Sequence, residues 1–133
     1  MIRKMKETDL PLVMELMQQE DEFWHSMWDI NTINKAYKSS DRLSFVYLDN
    51  DNIVGSIFAS DLGFRAYLSG LIVNKNYRNK RIAKQLVLRV ENELKQTNSE
   101  LIIADVLPHA VSFFEKLGWK SPYAKLMRKK IYE

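Results

Sequence analysis

No cysteine occurs anywhere in the 133 residues. A disulfide framework, a thiolate nucleophile and a thiolate metal site are therefore excluded. Histidine is nearly as scarce: His25 and His109 are the only two, too few for a His-rich metal site, so no metal is expected. No apolar run reaches the roughly 18–20 residues of a membrane span, and the N-terminus has no signal-peptide pattern. A soluble chain with a cytoplasmic location is expected. Internal repeats, low-complexity tracts and linker-like stretches are missing too, so residues 1–133 read as one domain.

What is present is globular. Apolar residues make up 46% and charged residues 28%, outside the range of disordered chains, and a chain of this length buries a real core. The net charge of +3 is modest. It permits an anionic ligand without arguing for nucleic acid, which would bind with a steep salt dependence.

Ile2 and Met5 among Arg3, Lys4 and Lys6 suggest a short first strand. Thr8 or Asp9 is placed to cap a helix, with Pro11 in its first turn and Leu10, Val13, Met14, Leu16 and Met17 at helical spacing. From Glu20 to Asn34, Phe23, Trp24, Met27 and Trp28 sit among Asp21, Glu22, His25 and Asp29. The plainer reading is one face of a helix on the core; the functional one is an aromatic and acidic cleft wall. Asn31 or Thr32 then caps a short helix through Tyr37. Leu43–Leu48 and Ile53–Ser60 alternate around Asp49-Asn-Asp-Asn52, which predicts a hairpin. Gly55 inside it marks a bulge or a close approach. Arg65–Val73 is a further strand, with a bulge expected at Ser69-Gly70.

Residues 81–95 form the clearest helix, with Ile82, Ala83, Leu86, Val87, Val90 and Leu94 on one stripe. Glu100–Val106 is an apolar run of strand length, expected to be central. Pro108 starts a helix that ends at Gly118 as a C-cap. Ala124–Tyr132 reads as a last strand with a basic face of Lys125, Arg128 and Lys130. The order predicts an α/β fold with a mixed sheet flanked by helices.

The stretch around which the rest is organised is Leu71-Ile-Val-Asn-Lys-Asn-Tyr-Arg-Asn-Lys-Arg-Ile-Ala-Lys84. A strand runs out at Val73 and a helix opens near Arg81. Lys75, Arg78, Lys80, Arg81 and Lys84 crowd the first turn, where cations oppose the helix dipole unless an anion offsets them. The alternative is a solvated basic turn. Val73…Arg78-Asn-Lys-Arg-Ile-Ala83 resembles the acyl-CoA pyrophosphate loop of the GCN5-related N-acetyltransferases, the GNAT family. That loop is written Arg/Gln-x-x-Gly-x-Gly/Ala. Arg78, Ile82 and Ala83 fit it, as does the spacing from Val73 and Tyr77; Arg81 replaces the central Gly, and Asn79 a second Gly. Ala110-Val-Ser-Phe-Phe-Glu-Lys-Leu-Gly-Trp119 resembles the family's Ala-x-x-Phe-Tyr-x-Lys-x-Gly-Phe. The element order agrees from end to end, which implies a GNAT-like fold with a mixed, mostly antiparallel sheet.

The resemblance implies transfer of an acetyl group from acetyl-CoA to an amine, on a small molecule or on a peptide or protein. The thioester would lie between two splayed parallel strands, one ending at Val73 and the other at Asp105. The backbone of Leu71, Ile72 and Val73 would hold the pantetheine arm, and an N–H near Ile72 or Val73 would polarise the carbonyl. Arg78, Asn79, Lys80, Arg81, Ile82, Ala83 and Lys84 would bind the pyrophosphate, and Phe113 and Phe114 would border the cofactor. The family often dimerises through its C-terminal strands, so a homodimer is a further implication.

Several side chains depart from the pattern. Phe114 stands where a Tyr often donates a proton to the leaving thiolate. Leu107 replaces a common Asn, and Ser69-Gly70 a common Glu. If the backbone at Arg81 needs φ > 0, an L-residue there costs on the order of 1–2 kcal/mol; if it is helical, only Cβ must clear the phosphates. Asp105 and His109 are the chosen candidates for the base, ahead of Asp61, Asp21, Glu22 and His25. Tyr67 and Tyr123 are candidate proton donors. Acidic Asp21, Glu22 and Asp29 beside Phe23, Trp24 and Trp28 would suit a cationic acceptor. These departures also motivate an alternative, a degenerate GNAT domain that binds CoA or a partner without transfer.

Overall fold

The computed structural model describes residues 1–122 and 124–132, with the backbone alone at Asn79 and Lys80. Among the described residues five strands form, the middle of β3 buried on both faces: β1 (Ile2–Lys4), β2 (Ser44–Asp49), β3 (Asn52–Asp61), β4 (Ala66–Val73) and β5 (Ile102–Ala104). They lie in sequence order in one sheet. The first four are antiparallel and β5 joins β4 in parallel. The β2–β3 hairpin turns on Asn50 and Asp51, whose φ angles of 49° and 68° are those a tight hairpin turn requires. Four helices cover the sheet: α1 (Leu10–Gln18), α2 (Ile30–Ser40), α3 (Ile82–Gln96) and α4 (Val111–Lys116). Among the described residues, no helix is long and apolar enough to cross a membrane.

Neighbouring strand residues point to opposite faces, so the sheet divides the core in two. Phe45 and Ile57 join Leu86, Val87, Val90 and Phe114 on the α3–α4 side. Val46 and Phe58 join Val13, Leu16, Met17 and Ile33 on the α1–α2 side. Both glycines expected to disturb the ladder do so. Val54 is an extra residue beside Gly55, since Tyr47 pairs with Gly55 and Leu48 with Ile53. Ser69 is extra beside Gly70, since Phe58 pairs with Gly70 and Ala59 with Leu68.

Four expectations are corrected. Glu20–Asp29 is a run of turns, not a helical face: Phe23 and Trp24 hydrogen-bond back to Glu20 and Trp28 to His25. Asp29 then starts a new helix, its carboxylate accepting from the N–H groups of Asn31 and Thr32. α2 therefore begins before the expected Asn31 or Thr32 cap, and it runs on past Tyr37 to Ser40. The expected strand over 124–132 does not form. Lys125, Arg128, Lys129 and Lys130 leave little to bury, and Met127, Ile131 and Tyr132 are exposed. In consequence β5 is shorter than Glu100–Val106 and lies at the sheet's edge rather than its centre.

Candidate active site

The parallel ladder stops at Leu68 and Ala104, one residue before the bulge at Ser69. Bulges bend and twist a strand, and β4 runs on to Val73 without β5 beside it. Asn74 donates its N–H to Val54 O at 2.8 Å. By the alternation of an antiparallel strand, Ile72 also turns its backbone groups to β3. Leu71 and Val73 therefore turn theirs to the other side, into the gap left by β5.

The chain after Val73 is tied down at several points. Asn74 Oδ1 accepts from Asn76 N–H at 2.9 Å, opening a 3₁₀ turn over Lys75–Lys80. The Tyr77 hydroxyl bonds Asp49 at the end of β2, which raises the phenol above its ordinary value. Arg78 donates Nε to Val73 O at 3.3 Å and Nη2 to Glu20 Oε2 at 2.5 Å. Arg81 then takes the left-handed conformation, φ 61° and ψ 21°, as the N-cap of α3. The Arg thus adopts a backbone that a glycine would supply freely. The first amides of α3 follow, with Arg81 and Lys84 exposed beside them. Gly55 lets α3 approach: a Cβ there would lie 3.0 Å from Ile82 and 3.2 Å from Leu86.

The α1–α2 loop lies over the gap. One foot is the Glu20–Arg78 pair beyond the end of β4. The other is Glu22, whose Oε2 lies 3.7 Å from His109 Nδ1 beyond the end of β5. Between them Phe23 rests on the bare backbone of Gly70, where a Cβ would come within 3.5 Å of its ring. Trp28 meets Phe23 and Trp24 edge-on, at centroid distances of 5.5 and 5.6 Å. Asp21, Glu22 and Asp29 are exposed around this cluster.

The structure gathers some candidates and disperses others. Asp105 follows β5 on the gap's far side and faces Arg128 at 4.0 Å. His109 sits in the 3₁₀ turn Pro108–Ala110. His25 is engaged locally, its Nδ1 accepting from Met27 N–H at 3.2 Å. Asp61 lies at the opposite end of the sheet, paired with Ala66. It staples the β3–β4 turn, accepting from Gly63 N–H at 3.0 Å and Ser99 Oγ at 2.8 Å, and these bonds hold its pKa below the ordinary value. Tyr67 stands beside Ile103 within the paired part of β4. Phe114 is buried edge-on against Phe113 and Trp119, at 5.1 and 4.9 Å. Leu107 N-caps the turn that holds His109. Tyr123 lies outside the described residues, as do the side chains of Asn79 and Lys80. Among the described residues no group of three or more His, Cys, Asp or Glu is placed to hold a metal.

Sequence reasoning missed Glu20. The signal was available: between Lys6 and Lys35 the chain has no Lys or Arg, while Glu20, Asp21, Glu22 and Asp29 crowd one stretch. A segment so one-sided facing a basic loop invites at least one cross-pair.

A family model described as an acetyltransferase (GNAT) domain matches residues 12–131. No curated protein matches the sequence. Solved structures do resemble the fold. One, described as a predicted acetyltransferase with acetyl-CoA from Clostridium acetobutylicum, superposes with a TM-score of 0.82 at 16% identity, covering 97% of this chain and 95% of that one. The PaiA N-acetyltransferase from Thermoplasma acidophilum, in complex with coenzyme A, gives 0.81 at 18% identity, covering 94% and 92%. An acetyltransferase from Trypanosoma brucei gives 0.75 at 21% identity, covering 98% and 99%.

Proposed function

This chain belongs to the GNAT acetyltransferase family, and from that footing we propose that it moves an acetyl group from acetyl-CoA to the nitrogen of a cationic amine. The observation that carries the reading is the parting of β4 from β5 just beyond Leu68 and Ala104, with the backbone of Leu71 and Val73 turned into the gap.

In this reading Leu71, Ile72 and Val73 hold the donor's arm as an added strand. The strand alternation favours the N–H of Val73 over that of Ile72 as the donor to the thioester oxygen. One such donor is worth roughly 2.7–4 kcal/mol at a developing oxyanion. The amides between Arg78 and Lys84 receive the pyrophosphate, with Arg81 and Lys84 adding charge, and Phe113 and Phe114 back the cofactor. The neutral amine attacks the carbonyl carbon, a C–N bond forms, the C–S bond breaks and the sulfur leaves as thiolate. Phe114 has no proton to give, so the thiolate is protonated from water. Asp105 or His109, on the gap's other bank, takes the proton from nitrogen. The acceptor's remaining positive charge is met by Asp21, Glu22 and Asp29 and by the face of Trp28. A diamine suits such a wall: one end is held as ammonium while the other reacts.

Calorimetric titration with acetyl-CoA and CoA tests the donor half, with one site in the micromolar range expected. Thiol release from acetyl-CoA in the presence of mono- and diamines tests transfer, and the absence of cysteine gives that assay no protein background. No binding at millimolar CoA sinks the reading. CoA binding without transfer to any amine would instead support a binding module, a reading favoured by Phe114 and Leu107 standing where the family's polar groups are common.

A further inference from the structure

Arg78 is claimed from two sides. Its guanidinium bonds Glu20 at 2.5 Å and the carbonyl of Val73 at 3.3 Å. Glu20 is 58 residues distant in sequence and begins the loop that roofs the gap. Its side chain is 24% exposed, whereas both partners of the other foot, Glu22 and His109, are more than 60% exposed and 3.7 Å apart. Of the two ties, the one to Arg78 is the shorter and the better shielded, so it holds the roof more firmly. Arg78 also sits where a chain of phosphates would pass from Val73 towards the first amides of α3. A pyrophosphate presents several anionic oxygens to the fork of a guanidinium, against one carboxylate from Glu20.

We propose that Glu20 is a positioning residue that couples the two substrate sites: it holds the roof down through Arg78 while the donor site is empty, and the donor's pyrophosphate takes Arg78 from it and frees the roof for the acceptor. This rests on the acetyltransferase reading. A bond that must break for the donor to bind weakens donor binding, and the two sites are coupled reciprocally.

The test is Glu20→Gln, which keeps size and removes charge, with Glu20→Asp, which keeps charge and loses reach. Calorimetry with CoA should show both binding about two- to fivefold more tightly than the parent, the scale of a partly exposed ion pair. Unchanged or weaker CoA binding in a folded Glu20→Gln protein overturns the coupling, because Glu20 would then share Arg78 with the donor rather than compete for it. A second readout needs no change at Glu20. In a Trp119→Phe background the remaining tryptophans, Trp24 and Trp28, both lie in the roof. Their fluorescence should shift on CoA titration, and the shift should vanish when Glu20→Gln is added. A roof signal indifferent to CoA also overturns the proposal. If the parent protein binds CoA while either overturning result is seen, the acetyltransferase reading stands and only the coupling falls. If the parent binds no CoA, both fall together.

Discussion

Arg81 holds φ 61° and ψ 21°, a conformation that disfavours any residue with a Cβ. The sequence posed the choice between a left-handed and a helical backbone here. It could not decide, because φ at Arg81 is set by how the 3₁₀ turn joins α3. Since the backbone already has the glycine-like geometry, Arg81→Gly separates strain from charge. Stability should rise by about 1 kcal/mol, seen as a higher thermal midpoint, while Arg81→Ala gains nothing. CoA affinity should fall by the same few-fold factor in both, since both lose only the guanidinium. Unequal affinities would mean that the loop's backbone changes on binding. Asp9 is another residue whose role needed the fold. It stands at the N-cap of α1 as expected, but its carboxylate makes no cap bond to that helix; it accepts from both nitrogens of the Arg3 fork at 2.7 and 2.9 Å and from Lys6 N–H at 2.8 Å, closing the preceding 3₁₀ turn. The Arg3 bonds hold its carboxyl below the ordinary carboxylate range. Above roughly pH 4 the folded and unfolded forms are both ionised and the stabilisation is complete. As pH falls below that value the unfolded chain binds a proton first, so stability is lost until the folded carboxyl also titrates. Asp9→Asn should cost roughly 2 kcal/mol at neutral pH and flatten that acid limb, as urea unfolding across pH would show.

At the level of elements, legibility followed the strength of the local pattern. The stripe from Ile82 to Leu94 and the alternation on either side of Asp49–Asn52 each have one strong solution, and α3 and the β2–β3 hairpin came out close to their expected bounds. Glu20–Asp29 has aromatics at near-helical spacing, but those rings pack on one another and on Gly70, a contact 47 residues away from Phe23 in the chain that no local pattern encodes. The stretch over residues 124–132 has strand length and a basic face yet finds no ladder, because its four Lys and Arg leave too little apolar surface to bury against the sheet. Of the cleft, the strand end at Val73, the loop and the start of α3 were legible, whereas the roof's two feet were not. The two glycines that space these elements make a graded prediction. At Gly55 a methyl would meet Ile82 Cγ2 and Leu86 Cδ1, both buried and packed. At Gly70 the nearest atom is the terminal methyl of Met17, 3.2 Å away at the end of a flexible side chain. Gly55→Ala should therefore destabilise by about 1 kcal/mol or more and weaken CoA binding, since it pushes the first turn of α3 outwards. Gly70→Ala should be close to neutral in stability. Equal effects in urea unfolding would refute the idea that α3 is seated by Gly55.

Across the whole molecule, a net charge of +3 conceals a segregated one. No Lys or Arg lies between Lys6 and Lys35, while Lys75, Arg78, Lys80, Arg81 and Lys84 crowd the turn after β4. The gap between β4 and β5 lies between these two walls, and the Glu20–Arg78 pair is where they touch. On the proposed reading, fields of opposite sign on opposite banks of one cleft would sort an anionic donor from a cationic acceptor before either is in contact. Such fields are screened by salt, with a Debye length of about 10 Å at 0.1 M and about 3 Å at 1 M. A diamine and a monoamine of matched reacting nitrogen differ only in the distant ammonium that the acidic wall would hold. At low salt kcat/KM for the diamine should exceed that for the monoamine by about tenfold, the worth of a cation–π and charge contact of roughly 1–2 kcal/mol. The ratio should shrink several-fold by 0.5 M salt, and substitution at the acidic wall, Asp21→Asn, should shrink it at low salt without altering CoA affinity. A ratio indifferent to both salt and this substitution would mean that the acidic wall faces solvent rather than substrate, and that selectivity for the acceptor comes from shape alone.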